Sequence, residues 1–218
     1  MEKYLQIVGA SPLLRGIAQT ELKALLQSLG VQMKVYPKNS FIWQVGEQVH
    51  LAGVVVAGSV HILREDYWGS QNILAHLGCG NVFGEVYACL QQVPLTVSVA
   101  APNGATVLFL DVRRLLVSNS RSAAENRLLH NLLMLMAERN LLLTQKMEYL
   151  TKRTTREKLL AYLSEQARLQ QSNRFTIPFN RQQLADFLAV DRSAMSSELG
   201  KMQADGLIVY KKNNFELL

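Results

Sequence analysis

The chain has 218 residues, of which 49% are hydrophobic and 18% charged, and its formal net charge is +6. This composition can build one large domain or two small ones and excludes a disordered chain. No stretch reaches the ~18 apolar residues of a membrane span, and residues 1–4 do not begin a signal peptide, so we expect a cytoplasmic protein. Two cysteines, Cys79 and Cys89, are too few for a disulfide framework.

The positive charge is concentrated towards the end of the chain. Residues 151–218 carry 11 Lys and Arg against 7 Asp and Glu, whereas residues 1–150 carry 12 against 10. A module that binds a polyanion would place its charge in this way.

The first two thirds of the chain predict a β-rich domain. Leucines at helical spacing predict a helix over residues 18–29, which Gly30 ends. From Val31 the hydrophobic period becomes two, and glycines separate short apolar runs, which predicts a sandwich, barrel or jelly roll. The runs are Phe41–Trp43, Val54–Val56, Val60–Leu63, Ile73–Ala75, Thr96–Ala100 and Thr106–Leu110.

A helical period begins near Ser120 and continues for about thirty residues. Apolar residues and Asn140 recur there at alternating spacings of four and three, which is typical of a coiled-coil seam. A polar residue such as Asn140 sets register in such seams, so we expect a parallel homodimer; the alternative is a helix packed within one subunit. The seam residues are Leu129, Leu133, Met136, Asn140, Leu143 and Met147, and Leu128, Leu132, Leu135, Leu141 and Leu142 widen the apolar surface.

Two short helices follow near the end of the chain. Asn180 is predicted to cap the first, with Gln183 completing a capping box. A break at Ala189–Val190 precedes Asp191, which is predicted to cap the second, and Gly206 suits its C-terminal end. The pair predicts a DNA-binding helix-turn-helix, with an ordinary helical hairpin as the alternative. The apolar stripes are Leu184, Phe187 and Leu188 on the first helix and Met195, Leu199 and Met202 on the second.

The flanking segments complete this C-terminal pattern. Thr154 and Glu157 form another capping box that begins a helix. We expect a loop over Arg168–Arg174 and a strand over Phe175–Phe179. Residues 207–217 contain two apolar runs around a basic turn, which predicts a wing hairpin.

These motifs resemble one known family. The run Leu184–Leu199 looks like the winged helix-turn-helix of the CRP/FNR family of bacterial transcription regulators. Pro37–Leu63 resembles the first half of that family's cyclic-nucleotide-binding-type β-roll, and Asn81–Glu85 resembles the opening of its phosphate-binding cassette. The resemblance implies an α+β fold with a jelly-roll-like β-roll, a long dimerisation helix and a winged helix-turn-helix. The expected domains are residues 1–118, 119–151 and 152–218.

The resemblance also implies a near-palindromic DNA operator, which a homodimer would bind. Arg192 is expected to read a guanine base through its bidentate fork. Ser193 and Ser196 are expected to make shorter-range contacts, and Lys201 is expected to hold a phosphate. Many relatives have an arginine where this chain has Ser197. The further candidates for contact with the DNA backbone are Thr154, Arg156, Lys211 and Lys212. An activator of this family would also contact RNA polymerase.

A small-molecule effector is expected in the β-roll. In nucleotide-binding members the glutamate of the cassette takes the ribose hydroxyl, and an arginine ten residues later neutralises the phosphate. That position is Leu95 here, and a buried phosphate without a cation carries a severe desolvation penalty. We therefore expect an effector other than cyclic AMP, with a cyclic-nucleotide receptor as the alternative. The candidate effector-site residues are Gly84, Glu85, Val86, Leu95 and Thr96; Glu85 and Thr96 have an alternative, purely structural interpretation.

Other classes of site find little support in the sequence. The two cysteines are too few for an iron–sulfur cluster, and the four histidines lack metal-ligand spacing. No cofactor or catalytic site is predicted, although haem sensing through His76 or Cys79 stays an alternative. An alternative from another functional class is a jelly-roll enzyme or ligand-binding protein with a helical assembly domain.

Overall fold

The computed structural model describes residues 5–65, 71–90, 92–117 and 121–218. The chain forms two compact units, Met1–Ala137 and Glu138–Leu218. Helices and strands both contribute to each unit, so the predicted α+β class is confirmed. The predicted boundary at residues 118–119 and the helix start near Ser120 lie outside the described residues. Among the helices that are described, none has the length and apolar character to cross a bilayer.

The N-terminal unit contains two antiparallel sheets of four described strands each. The strands are β1 (Gln32–Tyr36), β2 (Ser40–Trp43), β3 (Ala52–Gly58), β4 (Val60–Glu65), β5 (Gln71–Leu77), β6 (Val82–Phe83), β7 (Ser98–Ala101) and β8 (Ala105–Leu110). The sheet orders are β1-β8-β3-β6 and β2-β7-β4-β5. This is the predicted β-roll.

The sequence of strand β3 is apolar without alternation because both faces of the strand are buried. Val54 and Val56 pack into a core that includes helical leucines, whereas Val55 packs into the core between the sheets. A strand covered on both faces reads as a continuous apolar run. All three valines are fully buried.

Among the described residues of the N-terminal unit, five helices begin. The core beside β3 contains Leu22, Leu25 and Leu26 together with Leu128 and Leu132. The long helix therefore covers the β-roll with one face, as expected from its wide apolar surface. The helices are α1 (Leu5–Ala10), α2 (Gln19–Ser28), α3 (Glu85–Cys89), α4 (Arg113–Val117) and α5 (Ala123–Leu150), the last continuing into the C-terminal unit.

One strand of the β-roll begins later than its sequence pattern suggests. The run Thr96–Ala100 predicts a strand, but β7 spans Ser98–Ala101. The backbone before β7 makes hydrogen bonds outside the sheet ladder. The amide of Leu95 donates to the carbonyl of Glu47 over 2.8 Å, and the amide of Gly46 donates to the carbonyl of Leu95 over 2.8 Å. Leu95 is thus hydrogen-bonded to the turn segment at Gly46 and Glu47.

The C-terminal unit has a three-stranded sheet of order β10-β11-β9 packed against three helices. Its core contains the predicted stripes of both short helices, with Leu184, Leu188, Met195, Leu199 and Met202 fully buried. The elements are α6 (Thr155–Leu169), β9 (Arg174–Thr176), α7 (Arg181–Leu188), α8 (Arg192–Ala204), β10 (Ile208–Lys211) and β11 (Asn214–Leu217).

Two boundaries in this unit differ from the sequence pattern. The loop expected from Arg168 begins later, because α6 includes Arg168, whose guanidinium donates to Glu165 one turn earlier over 2.6 and 2.7 Å. The strand expected over Phe175–Phe179 is shorter, because β9 ends at Thr176. Pro178 has no backbone N–H and cannot extend the ladder as a donor.

The predicted helix caps are all present. Asn180 and Gln183 exchange side-chain to backbone hydrogen bonds of 2.9 Å, and Thr154 and Glu157 form the same kind of box. The Asp191 carboxylate accepts from the amide of Ala194 over 2.7 Å. These bonds satisfy donors that a helix start leaves unpaired, so the beginnings of α6, α7 and α8 are fixed locally.

Candidate functional site

The two short helices are joined by a tight turn. Ala189 ends α7 in the left-handed conformation (φ 50°, ψ 58°), and Asp191 caps α8. Lys158 on α6 donates to the carbonyl oxygens of Leu188 over 3.0 Å and Ala189 over 3.4 Å. A cation at a helix C-terminus satisfies its free carbonyls. Sequence reasoning missed Lys158, because nothing in its local spacing indicates this long-range contact.

Helix α8 has one buried stripe and one exposed face. Met195, Leu199 and Met202 are fully buried. The opposite face presents side chains that suit a groove reader: a cation at the start, small hydroxyls in the middle and a second cation further on. The exposed residues are Arg192, Ser193, Ser196, Ser197 and Lys201.

One of these hydroxyls has a restricted role. The Ser196 hydroxyl donates to the carbonyl oxygen of Arg192 over 2.9 Å. Its single proton is therefore used within the helix, and its lone pairs are left to accept from an external donor. Lys201 lies 3.7 Å from Glu198, which places its ammonium beside one carboxylate oxygen.

Arg156 ties α6 to α8. Its guanidinium contacts the carboxylates of Glu198 at 2.5 Å and Asp205 at 2.7 Å. The hydrogen bond to Glu198 and, to a smaller extent, the hydrogen bond to Asp205 raise the pKa of the Arg156 guanidinium. The residue predicted to contact DNA backbone is thus already paired with two carboxylates, and its charge helps to set the position of α8. Sequence reasoning missed Glu198 and Asp205, which lie far from Arg156 along the chain.

The wing presents two lysines at its tip. Lys211 and Lys212 are exposed, and Lys212 has a positive φ of 54° in the turn between β10 and β11.

Arg181, the first residue of α7, lies over the rings of Tyr210 at 4.8 Å and Phe215 at 5.2 Å. Burial lowers the pKa of the Arg181 guanidinium. These cation–π contacts join the wing to the first helix of the pair.

The predicted seam on α5 is only partly covered by its own chain. Leu133, Leu143 and Met147 are 65%, 62% and 63% exposed, and Asn140 is also exposed. Met136 instead packs partly against the N-terminal core, and Leu129 has intermediate exposure. The seam therefore lies beside the covered face of the helix, with most of its apolar members facing outward.

The candidate effector residues gather around the start of α3. Gly84 precedes this helix with a φ of 74°, and a Cβ placed there would lie 2.5 Å from the Trp43 ring. Trp43 packs on Phe83 at 5.1 Å and on Phe109 at 5.4 Å between ring centroids. Gly84 is required both by its backbone conformation and by this aromatic cluster.

Leu95 and Thr96 have different environments. Leu95 is buried, with 3% of its surface exposed, so an apolar side chain occupies the position that the resemblance gives to a phosphate-binding arginine. The Thr96 hydroxyl lies 2.7 Å from the hydroxyl of Tyr87 on α3. Glu85 is nearly fully buried and Val86 is 41% exposed. The structure thus brings these residues together at one end of the β-roll, and adds Tyr87, which sequence reasoning missed.

The histidines and cysteines form no larger cluster in the described ranges. His61 and His76 are cross-strand neighbours, with Nε2 and Nδ1 2.8 Å apart. Cys79 is exposed, and burial raises the pKa of the Cys89 thiol. Within residues 5–65, 71–90, 92–117 and 121–218 there is no group of three or more potential metal ligands.

Two family models match the chain, one in each unit. The model of the cyclic nucleotide-binding domain matches residues 33–117, and that of the Crp-like helix-turn-helix domain matches residues 157–218. The chain belongs to the CRP/FNR family. It is a DNA-binding transcription regulator of the CRP/FNR type with a cyclic-nucleotide-binding-type domain. A comparison with curated proteins found no match.

Solved structures share the CRP/FNR fold along most of the chain. The Catabolite Activator Protein of Thermus thermophilus is 24% identical, with 95% of this chain and 94% of that one covered and a TM-score of 0.57. The c-di-GMP responsive global regulator CLP of Xanthomonas campestris is 21% identical, with 89% and 98% covered and a TM-score of 0.53. DNR of Pseudomonas aeruginosa is 18% identical, with 100% and 95% covered and a TM-score of 0.50. At these identities the likeness shows the fold.

The packing at Gly84 can be tested by substitution. We expect Gly84→Ala to lower the free energy of unfolding of the N-terminal unit by roughly 1–3 kcal/mol more than Gly80→Ala does. Gly80 also has a positive φ, of 84°, but a Cβ there meets open space, so it controls for backbone strain. Urea unfolding followed by tryptophan fluorescence measures both. Equal losses would show that the Trp43 contact is unimportant.

Proposed function

We propose that this CRP/FNR regulator acts as a homodimer whose two α8 helices enter successive major grooves of a near-palindromic operator. The exposed polar face of α8 carries the proposal, because its opposite stripe is fully buried and its start is capped. Dimers of this kind place their recognition helices ~34 Å apart on DNA.

Arg192 is the proposed base reader. It is exposed in the first turn of α8, where a guanidinium can donate to two acceptors of a guanine. The Ser196 hydroxyl would accept a hydrogen bond from a base amino group, because it already donates its own proton to the Arg192 carbonyl oxygen. Ser193 and Ser197 would supply short-range contacts from the same face.

The remaining cations are proposed to hold phosphates. Lys211 and Lys212 at the wing tip are exposed and suit the DNA backbone, as does Lys201. Thr154 at the start of α6 stays a candidate. Arg156 is the weakest member of this group, because Glu198 and Asp205 already neutralise its charge. If the regulator is an activator, RNA polymerase is a further partner.

Helix α5 is proposed to pair with its counterpart in a second chain. Its outward leucines and methionines would form a large exposed apolar surface on a monomer, and such surfaces mark interaction sites. The alternating spacing supports a two-stranded seam, with Asn140 fixing the register.

The effector is proposed to bind near α3 and to lack a cyclic nucleotide's phosphate. Leu95 offers no cation, and its side chain is buried while its backbone is hydrogen-bonded to Gly46 and Glu47. The hydroxyls of Tyr87 and Thr96 provide polar groups close together beside the exposed Val86. Gly84, which lies against the Trp43 ring, and the buried Glu85 would shape the site.

The base-reading role of Arg192 predicts a loss of specificity on substitution. Arg192→Ala should cost ~1–3 kcal/mol of binding to the operator and relax preference at one base pair. Lys212→Ala, as a matched loss of one charge, should weaken binding about equally on all sequences and reduce the salt dependence. Fluorescence anisotropy with operator and scrambled duplexes at two salt concentrations measures both. Equal weakening of Arg192→Ala on all duplexes would make Arg192 a phosphate contact instead.

Dimerisation through the seam predicts unequal effects of two similarly exposed leucines. Leu143→Glu should raise the dimer dissociation constant roughly 30-fold or more, because losing a central interface side chain costs ~2 kcal/mol. Leu141 is 58% exposed on the same helix but lies outside the seam, so Leu141→Glu should have a much smaller effect. Sedimentation equilibrium gives both constants. A wild-type monomer, or equal effects, would contradict the seam.

The missing cation predicts no binding of cyclic AMP. Isothermal titration of the full chain with cyclic AMP should give no saturable heat, because a phosphate beside Leu95 would be desolvated without a counter-charge. The same preparation must bind DNA in a salt-sensitive manner, which shows that it is folded. A saturable titration would make the protein a cyclic-nucleotide receptor.

A further inference from the structure

The C-terminal unit contains a cavity of about 360 Å³ that has no part in the proposed DNA contacts. It is lined by residues of α5, α6, α7 and the segment before α7. Its volume falls within the range of small-molecule pockets, which begins at ~300 Å³.

Four aromatic side chains line the cavity. The rings of Phe179 and Phe187 have centroids 4.9 Å apart, and Tyr162 lies 5.6 Å from Phe187. Tyr149 completes the group, with its ring 5.8 Å from Tyr162 and 5.9 Å from Phe187. Flat, rigid walls of this kind suit a planar aromatic ligand, which can stack or pack edge-on against them.

The Tyr162 hydroxyl is a polar group that the fold does not satisfy. Tyr162 is only 2% exposed, and its hydroxyl has no hydrogen-bond partner among the described residues. Burial raises the pKa of this hydroxyl, so it keeps its proton and can donate. An unsatisfied buried donor costs ~1–3 kcal/mol, which an acceptor on a ligand would recover.

The cavity also carries a positive charge. The Lys146 ammonium lies 5.4 Å from the centroid of the Phe187 ring. The other polar residues of the lining, beside the tyrosines, are the neutral Gln145 and Gln166, and the described lining includes no acidic side chain. Glu148 and Glu165 act on Tyr149 from outside this lining, so Lys146 is the group with which an anion in the cavity would pair.

We propose that this cavity is a second ligand site, which binds a small planar aromatic carboxylate. The rings of Phe179, Phe187 and Tyr149 hold the aromatic part. The Tyr162 hydroxyl donates to the ligand, and Lys146 neutralises the carboxylate. Because α7 supplies one wall, such a ligand contacts the first helix of the helix-turn-helix directly. The site is independent of the proposed effector site and of the DNA contacts.

Binding to the full-length protein tests the proposal with 2-naphthoate as the probe. Isothermal titration should show one saturable site per chain, with 2-naphthylmethanol, the neutral analogue, binding at least about tenfold more weakly. Tyr162→Phe keeps the aromatic wall and removes one donor, so it should weaken naphthoate binding about tenfold. Lys146→Gln should abolish the preference for the carboxylate. Tyr210→Phe, a tyrosine of the wing, is the matched control and should bind naphthoate like the wild type.

Several results would overturn the proposal. One is the absence of saturable binding at millimolar naphthoate, which would also be seen if side chains of a second copy fill the cavity. Another is binding that Tyr162→Phe and Lys146→Gln leave unchanged, which would place the probe elsewhere. Aromatic NMR signals of Phe187 and Tyr162 in the wild-type protein give a measurement that needs no variant. They should shift on addition of naphthoate, and unchanged signals would exclude the site.

Discussion

The structure depends on helix α5, whose apolar surface is larger than the part that its own chain buries. Leu128 and Leu132 of α5 are buried against the β-roll, whereas Leu133 and Leu143 are mostly exposed. Hydrophobic surface of this extent is costly in water, and a second chain would remove it from solvent. The proposed dimer, and with it the reading of a symmetric operator, follows from this constraint.

The two ends of the chain differ in how their sites are held. Helix α8 is fixed by a buried stripe, by the Asp191 cap and by the pairing of Arg156 with two carboxylates, so its exposed face is presented on a rigid support. At the proposed β-roll site, the buried Leu95 supplies no cation, and the described residues Tyr87 and Thr96 supply hydroxyls. The first arrangement suits a polyanion and the second suits an uncharged group.

Local features of the fold could be predicted from sequence, and long-range features could not. The caps at Asn180 and Asp191 are fixed by residues three positions apart, so spacing suffices to find them. The short elements β6, α1 and α4 were missed because so few residues show no period. The contact of Lys158 with the end of α7 joins residues 30 positions apart, and no local pattern indicates it. The cavity around Tyr162 was missed for the same reason, since its walls come from four separate segments.

Two chains of the regulator are proposed to read one symmetric operator. Selection of bound sequences from a pool of random duplexes, followed by sedimentation equilibrium of the complex with the selected duplex, tests this proposal most directly. We expect the selected duplexes to contain an inverted repeat with half-sites about one helical turn apart, ~10 base pairs, and the complex to contain two chains per duplex. Selected sequences without inverted symmetry, or a complex of one chain per duplex, would contradict it.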